Sequence, residues 1–210
     1  PSELDGILIT HEHSDHISGL GILARKYEIP IYTTKETFEA IEQDKKIGLL
    51  PEGLFHEVRY DEKFILKDME IYPVRISHDA KKPVAYRVGC EKKKVGILTD
   101  LGNFNDYIVE CMSNLDAVLL EANHDVNMLQ VGPYPYYLKQ RILGKRGHLS
   151  NELSGKLLSR LMHDGLQAVC LGHLSKENNL AELAGTVGEL QTTLEGDIAT
   201  KLDTTTFAEL

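Results

Sequence analysis

The chain is poor in cysteine and lacks long apolar segments. Its cysteines, Cys90, Cys111 and Cys170, are odd in number and lack C-x-x-C spacing, which argues against a disulfide framework. Cys170 lies in an apolar run, where a thiol is more typical of core packing than of metal binding. No apolar stretch approaches the roughly 18 residues of a membrane span, and no charged-then-apolar leader opens the chain. We therefore expect a soluble, cytoplasmic protein without a membrane partner.

An excess of positive charge is also absent. The 210 residues carry a formal net charge of -9, which argues against a broad basic surface for nucleic acid. With 42% hydrophobic residues the chain can bury a real core, and its length predicts one domain over residues 1–210.

Metal-binding side chains are concentrated near the N-terminus. The motif His11-Glu12-His13-Ser14-Asp15-His16 follows directly on the apolar run Ile7-Leu8-Ile9-Thr10. Imidazole and carboxylate suit divalent zinc, manganese or iron, and a strand that delivers them to one turn predicts a two-metal site. The alternatives are a polar loop rich in histidine and a closed structural zinc site. The second usually takes cysteine ligands, and none lies nearby.

Three further candidate ligands stand at the ends of apolar, strand-like runs. They are His78, Asp100 and His173. Taken in order with H-x-H-x-D-H, they make the chain resemble the metallo-β-lactamase superfamily. The resemblance implies an α/β fold of the four-layer αβ/βα sandwich type and two divalent metal ions, with zinc favoured and manganese the alternative. It assigns His11, His13 and His78 to one ion, Asp15, His16 and His173 to the other, and Asp100 as the bridge.

The N-terminus differs from that superfamily pattern. Its members normally place several strands ahead of the first motif, whereas this chain enters the motif strand soon after Pro1. We therefore expect the domain to be an N-terminally truncated fragment, with an exposed sheet edge and a partly uncovered core.

Hydrophobic periodicity predicts alternating strands and helices without an internal repeat. Strands are predicted over residues 4–10, 30–32, 57–60, 63–66, 70–76, 84–88, 95–99, 116–121 and 167–171. Helices are predicted over residues 17–27, 35–44, 151–164 and 180–194, with Thr34 as the N-cap of the second. Strands grouped with helices outside them suit an αβ/βα sandwich.

Two later motifs resemble those of the tRNA 3′-processing nucleases. Leu120-Glu121-Ala122-Asn123 and His148-Leu149-Ser150 match, in order, the H-E-A-T and H-S-T stretches of that group. The resemblance implies that Glu121 and His148 form a paired proton donor. A carboxylate beside an imidazole raises the pKa of that imidazole, so His148 could protonate a leaving alkoxide. His124 could supply the ring that Leu120 lacks, although a surface position is favoured for it.

Longer stretches resemble the YycJ/WalJ group of bacterial exonucleases. These are T-H-E-H-S-D-H-I-x-G-L-G, L-T-D-L-G, L-E-A-N-H-D, G-P-Y-P-Y-Y-L-K-x-R-I and G-H-L-S-N. This resemblance implies a metal-dependent exonuclease that digests DNA, rather than RNA, from 5′ ends. For the chemistry, we expect the metal pair to activate a water molecule and Asp15 to orient it.

Other functions remain open, because the residues alone indicate only a two-metal hydrolase. They are an RNA-processing nuclease, a nucleotide phosphodiesterase, and a thioester or lactone hydrolase of the same fold. Ser77-His78-Asp79 differs from the G-H-x-x-G stretch of thioesterase relatives, which favours a nuclease. A non-catalytic metal-binding module would predict gaps in the ligand set, and there are none.

A local basic cluster precedes His148. The basic face is defined as Lys139, Arg141, Lys145 and Arg146, and it follows Tyr134, Tyr136 and Tyr137. Cations for phosphates and rings for bases predict a nucleic-acid surface here. The alternative is a solvated amphipathic helix with half-buried tyrosines.

Overall fold

The computed structural model of the chain describes residues 3–186. These residues form two compact units: unit 1 comprises residues 3–75 and 80–86, and unit 2 comprises residues 76–79 and 87–186. Each unit is compact by itself, so the single domain over residues 1–210 stays a prediction.

Unit 1 combines a parallel sheet, an antiparallel hairpin and three helices. Its elements are β1 (Ile7–Leu8), α1 (Ser14–Ile17), α2 (Leu20–Tyr27), β2 (Ile31–Thr33), α3 (Lys35–Gln43), β3 (Phe55–Glu57), β4 (Phe64–Leu66) and β5 (Met69–Arg75). The parallel strands stand in the order β1-β2-β3, with Ile31 opposite both Ile7 and Phe55. The turn between β4 and β5 lies at Lys67 and Asp68, as predicted.

The core of unit 1 is aliphatic and joins its sheet to its helices. The buried members are Ile9, Ile17, Leu20, Ala24, Ile31, Ile41 and Ile47. The predicted helix over residues 17–27 is interrupted at Ser18 and Gly19, which are weak helix formers, so that α1 and α2 are separate. Thr34 caps α3 as predicted, because its side chain accepts a hydrogen bond from the Thr37 amide.

Unit 2 is built on a parallel sheet with helices. Its elements are α4 (Asp106–Cys111), α5 (Val126–Val131), α6 (Tyr136–Leu143), α7 (Asn151–Leu161), β7 (Lys93–Leu98), β8 (Ala117–Glu121) and β9 (Ala168–Gly172), while β6 (Val84–Cys90) belongs partly to each unit. Strand β8 lies between β7 and β9, with Leu120 opposite Leu98 and Leu171. The carboxyl ends of all three strands therefore meet at one edge.

Several differences from the predicted elements concern the helices. Helices α4 and α5 were not predicted, because six residues are too few to establish helical periodicity. Helix α6 agrees with the alternative interpretation of the basic face as an amphipathic helix. Helix α7 ends at Leu161 rather than at residue 164. The helix predicted over residues 180–194 is observed at residues 181–186, after a non-helical Leu180, and residues 187–194 lie outside the described residues. Within residues 3–186, no helix has the length and apolar character needed to cross a membrane.

Gly102 permits two loops of unit 2 to approach closely. A methyl group on Gly102 would lie 2.5 Å from both the Gly147 nitrogen and the Lys145 carbonyl oxygen. Gly102→Ala is therefore expected to force the backbone to shift and to lower the free energy of unfolding by about 1–3 kcal/mol in urea denaturation. Gly19→Ala is the control, since a methyl group there meets no atom within 4 Å. Equal losses in the two variants would contradict this account of Gly102.

Candidate metal centre

The turn after β1 holds three imidazoles close together. The ring centroid of His11 lies 4.6 Å from that of His13 and 4.2 Å from that of His16. Asp15 is exposed, and its Oδ2 lies 3.6 Å from His16 Nε2. Unit 1 thus brings its four predicted ligands to one turn.

Local hydrogen bonds orient these rings. The Thr10 hydroxyl lies 3.0 Å from Nδ1 of His11 and 3.4 Å from Nδ1 of His16, and a hydroxyl can donate to one ring and accept from the other. Both rings meet Thr10 through Nδ1, so Nε2 is the nitrogen that each would offer to a metal. The Glu12 carboxylate accepts from the Lys81 amide instead, at 2.8 and 3.1 Å. Glu12 therefore anchors the 80–86 segment of unit 1.

A second cluster lies at the carboxyl ends of the parallel strands in unit 2. Asp100, Glu121, His148 and His173 each offer a ligand atom, and these atoms lie within 4.8 Å of one another. Asp100 Oδ1 lies 3.5 Å from His173 Nε2 and 3.6 Å from His78 Nε2. Ligands at 2.0–2.1 Å from a tetrahedral zinc ion stand roughly 3.4 Å apart. Asp100 is therefore spaced from each of these two imidazole nitrogens as two ligands of one divalent ion would be.

Asp100 and His173 share an uncommon backbone conformation. Their φ angles are 59° and 55°, in the left-handed region that non-glycine residues seldom adopt. Each residue comes just after a strand, Asp100 after β7 and His173 after β9. Such a conformation costs on the order of 1–3 kcal/mol and is concentrated at functional sites. The strain thus coincides with two residues that the sequence predicts as ligands.

The Glu121 side chain is fully buried and accepts four hydrogen bonds. Its Oε1 accepts from Nδ1 of His148 and Nδ1 of His173, both at 2.8 Å. Its Oε2 accepts from the amides of Leu101 at 2.8 Å and Leu149 at 3.1 Å. With the Nδ1 protons directed at Glu121, both rings present Nε2 on the other side. Glu121 therefore suits a supporting role better than direct coordination.

The charges around His148 favour a role for this residue as a proton donor. Burial by itself lowers the pKa of His148, but the hydrogen bond and charge of Glu121 outweigh it and raise that pKa above the usual value. Burial tends to raise the pKa of Glu121, whereas the bonds from His148 and His173 lower it overall. Glu121 is thus an anion beside an imidazole that keeps its proton to higher pH than usual, as a general acid near neutral pH requires.

His78 is held by the loop that precedes His148. Its Nδ1 donates to the Gly147 carbonyl at 3.0 Å, and Arg146 Nε donates to the His78 carbonyl at 3.0 Å. Burial lowers the pKa of His78 despite the nearby Asp100 charge. The neutral ring that results is the form that binds metal, through Nε2. Arg146 was predicted only as a phosphate contact, and its link to His78, 68 residues away, could not be read from the sequence.

The basic face consists partly of residues that make contacts inside unit 2. The Arg141 guanidinium pairs with Asp79, and Lys139 Nζ donates to the carbonyl oxygens of Gln130 and Gly132 at 2.7 and 2.8 Å. Lys145 is exposed. These cations therefore support the loops around the cluster as well as adding positive charge.

One of the three neighbouring tyrosines, Tyr134, is half-buried, as the alternative interpretation expects. Tyr136 is 77% exposed and Tyr137 is 74% exposed, so that interpretation is wrong for these two. Both rings project from α6, a short helix in which no residue is fully buried.

His124 is not a surface residue, and the favoured prediction was wrong. It is 1% exposed, its backbone pairs with Ser150 beyond the end of β8, and its Nδ1 lies 3.3 Å from Asn123 Oδ1. Within residues 3–186 its Nε2 has no hydrogen-bond partner. Burial depends here on pairing with a segment 26 residues away, which the local sequence does not reveal.

The buried His124 predicts a pH-dependent loss of stability. Burial lowers the pKa of His124 from 6.5 to about 4, so the unfolded chain binds this proton more tightly than the folded chain does. As the pH falls from 6.5 to 4, this residue should cost the metal-free protein up to about 3 kcal/mol of unfolding free energy. The free energy of unfolding of His124→Gln should fall less steeply than that of the wild type over that pH range, as measured by urea unfolding in EDTA. The difference in unfolding free energy at pH 7 reports the lost packing and the changed contact with Asn123. Parallel curves for the two proteins below pH 6.5 would contradict the prediction.

Comparison with known proteins identifies the family. The sequence profile of the beta-lactamase superfamily domain matches residues 1–173, which include every predicted metal ligand. Exodeoxyribonuclease WalJ of Streptococcus pneumoniae is 44% identical over 184 residues, covering 88% of this chain and 68% of that protein. Exodeoxyribonuclease YycJ of Bacillus anthracis is 38% identical over 191 residues, covering 87% and 69%.

A solved structure supports the same fold. The metallo-beta-lactamase fold protein YhfI of Bacillus subtilis superposes with a TM-score of 0.71 at 16% identity, over 98% of this chain and 76% of that one. At such low identity the likeness concerns the fold alone, and it agrees with the mixed α/β architecture predicted from the sequence. The chain belongs to the beta-lactamase superfamily and has the metallo-β-lactamase fold.

Proposed function

We propose that the protein is a metal-dependent exonuclease that hydrolyses the phosphodiester bonds of DNA. The observation that carries the proposal is the 2.8 Å contact of His148 with buried Glu121, beside Asp100 and His173. It combines a proton donor with metal-binding side chains in one cluster. Two relatives named exodeoxyribonucleases support DNA as the substrate. Attack from 5′ ends and a cytoplasmic location are the finer parts of the proposal.

Two divalent ions complete the proposed centre, with zinc favoured over manganese. The proposed ligands are His11, His13 and His78 for one ion, Asp15, His16 and His173 for the other, and Asp100 between them. When bound, such ions lower the pKa of a coordinated water and neutralise phosphoryl oxygens. The support within unit 2 is the pair of separations, 3.5 and 3.6 Å, from Asp100 Oδ1 to two imidazole nitrogens.

The protein side chains supply the proton transfers. Asp15 orients the attacking water as a hydrogen-bond acceptor, and His148 donates a proton to the leaving oxygen. Glu121 stays ionised and stabilises the protonated ring before the transfer. The His148 side chain is 21% exposed and that of Glu121 is 0% exposed, so solvent can return the proton through His148.

The basic face contributes to substrate binding in this proposal. Lys139, Arg141, Lys145 and Arg146 would contact phosphates, which supplies affinity without base specificity. Because Arg146 donates to the His78 carbonyl and Arg141 pairs with Asp79, substitutions of these two also test the support of His78. Lys145 is exposed, and neutralising it reports phosphate contact most directly.

Asp100→Ala is expected to lose at least one divalent ion per chain, because it removes the proposed bridging carboxylate. Metal content after loading with zinc and desalting provides the measurement. Asp106→Ala is the matched control in the same unit, since that side chain is 83% exposed and pairs with Arg160. Full zinc content in Asp100→Ala would exclude the bridging role.

The activity itself is tested on DNA and RNA strands labelled at either end, with zinc or manganese, beside a thioester and a lactam. We expect DNA to be shortened from one end, and the position of the label identifies that end. His148→Ala should lower kcat by about 10²- to 10⁴-fold through loss of the general acid. His163→Ala is the control, because His163 Nε2 bonds the Leu115 carbonyl at the opposite end of β8.

Each other outcome identifies a different function. Preferential shortening of RNA would favour the RNA-processing alternative, and cleavage restricted to mononucleotide esters would favour a nucleotide phosphodiesterase. Rapid turnover of the thioester or lactam without any strand shortening would overturn the proposal. Wild-type digestion by His148→Ala would assign the proton transfer to another group.

A further inference from the structure

Helices α5 and α6 enclose a groove that the proposed chemistry does not use. Its volume is about 340 Å³, and it is lined by Gln130, Tyr136, Lys139, Gln140 and Leu143. Tyr136 contributes an aromatic ring that is 77% exposed, so packing within unit 2 does not account for it. The groove therefore offers an aromatic face, two amides and a cation to a ligand.

The surrounding chain favours an anionic ligand. Residues 126–147 contain four basic and no acidic residues, whereas the whole chain carries a net charge of -9. Lys139 Nζ is fixed beside the groove by bonds to the carbonyl oxygens of Gln130 and Gly132. An ammonium group has three donors, so a phosphate oxygen can take the third.

We infer that this groove is a subsite for one nucleotide of a single-stranded DNA end. The base would stack on Tyr136, the amides of Gln130 and Gln140 would face its edge, and Lys139 would contact its phosphate. An amide both donates and accepts, so the site would tolerate any base. In a duplex the faces of the bases are stacked and inaccessible, which restricts the subsite to single strands. The inference rests on the proposed function, because it identifies where the strand lies outside the cleaved bond.

Helix α6 connects the groove to the cluster. Tyr136 and Arg141 are five residues apart, about 7.5 Å along a helix axis. Arg141 pairs with Asp79, whose Oδ1 lies 3.4 Å from His78 Nε2. The groove therefore follows the length of α6, and Arg141 on the same helix is fixed beside a proposed metal ligand. A nucleotide bound there would adjoin the reacting nucleotide rather than coincide with it.

The subsite is tested by the binding of a fluorescent oligothymidylate to metal-free protein in EDTA, where no cleavage occurs. Tyr136→Leu is expected to weaken binding about fivefold or more, the lower range for loss of one base stack. Tyr136→Phe should bind as the wild type does, because the ring is retained. Tyr137→Leu is the matched control: Tyr137 is 74% exposed and adjacent on α6 but does not line the groove, so we expect less than a twofold change.

A kinetic measurement separates binding from chemistry. Tyr136→Leu should raise KM for a single strand with little change in kcat, and should leave hydrolysis of bis(p-nitrophenyl) phosphate unchanged because that ester is too small to span both sites. Equal losses in the two leucine variants, no loss in either, or equal affinity for a duplex would overturn the inference. Binding of a protein ligand through Tyr136, without oligothymidylate binding, would assign the groove to a protein partner and would also overturn it.

Failure of the proposed function can be distinguished from failure of the subsite. If wild-type protein shortens no strand with zinc or manganese, yet binds oligothymidylate through Tyr136, the subsite stands and the exonuclease proposal fails. If the strand is shortened normally but neither binding nor KM depends on Tyr136, only the subsite fails.

Discussion

The arrangement of unit 2 depends on one buried carboxylate. Glu121 ends β8, and its four hydrogen-bond donors come from the segment after β7, the loop before α7 and the segment after β9. A buried carboxylate is costly unless donors surround it, and here both oxygens are satisfied. Removing it would leave two imidazoles and two amides without that acceptor. Each group left unsatisfied would lower the free energy of unfolding by about 1–3 kcal/mol. The hydrogen bonds of buried Glu121 therefore hold together the segments that carry the proposed ligands at this edge of the sheet.

The same carboxylate orients two imidazoles that have different proposed roles. Glu121 Oε1 accepts from both His148 and His173, and each protonated ring disfavours a charge on the other, since His173 lowers the pKa of His148. Both rings cannot easily be cations at once. Glu121 raises the pKa of His148, which suits the proposed acid. The proposed ligand His173 would bind metal as a neutral ring.

The positions of ligands could be predicted from the sequence where they follow directly from the order of the strands. Asp100 and His173 could be predicted as neighbours because both follow strands whose ends meet at one edge of a parallel sheet, and the bounds of β7, β8 and β9 were predicted within two residues. Helices α4 and α5 were missed for want of periodicity, although their caps, Asn105 and Asp125, were readable signals. The burial of His124 and the bond from Arg146 to His78 depend on residues 26 and 68 positions away, which no local pattern encodes.

Contacts to the backbone join the loops of unit 2 in addition to the bonds of Glu121. The Gly102 amide donates to the Ser77 carbonyl at 2.9 Å, the Ser77 hydroxyl donates to the Lys145 carbonyl at 2.8 Å, and Gly102 packs against the backbone at Gly147. These contacts join the loops that carry His78 and Asp100 to the loop that carries the proposed acid. The exposed rings of α6 take no part in them. Substitution of Tyr136 should therefore spare the loops, so that an effect on the proposed binding of a strand can be separated from an effect on the proposed metal centre.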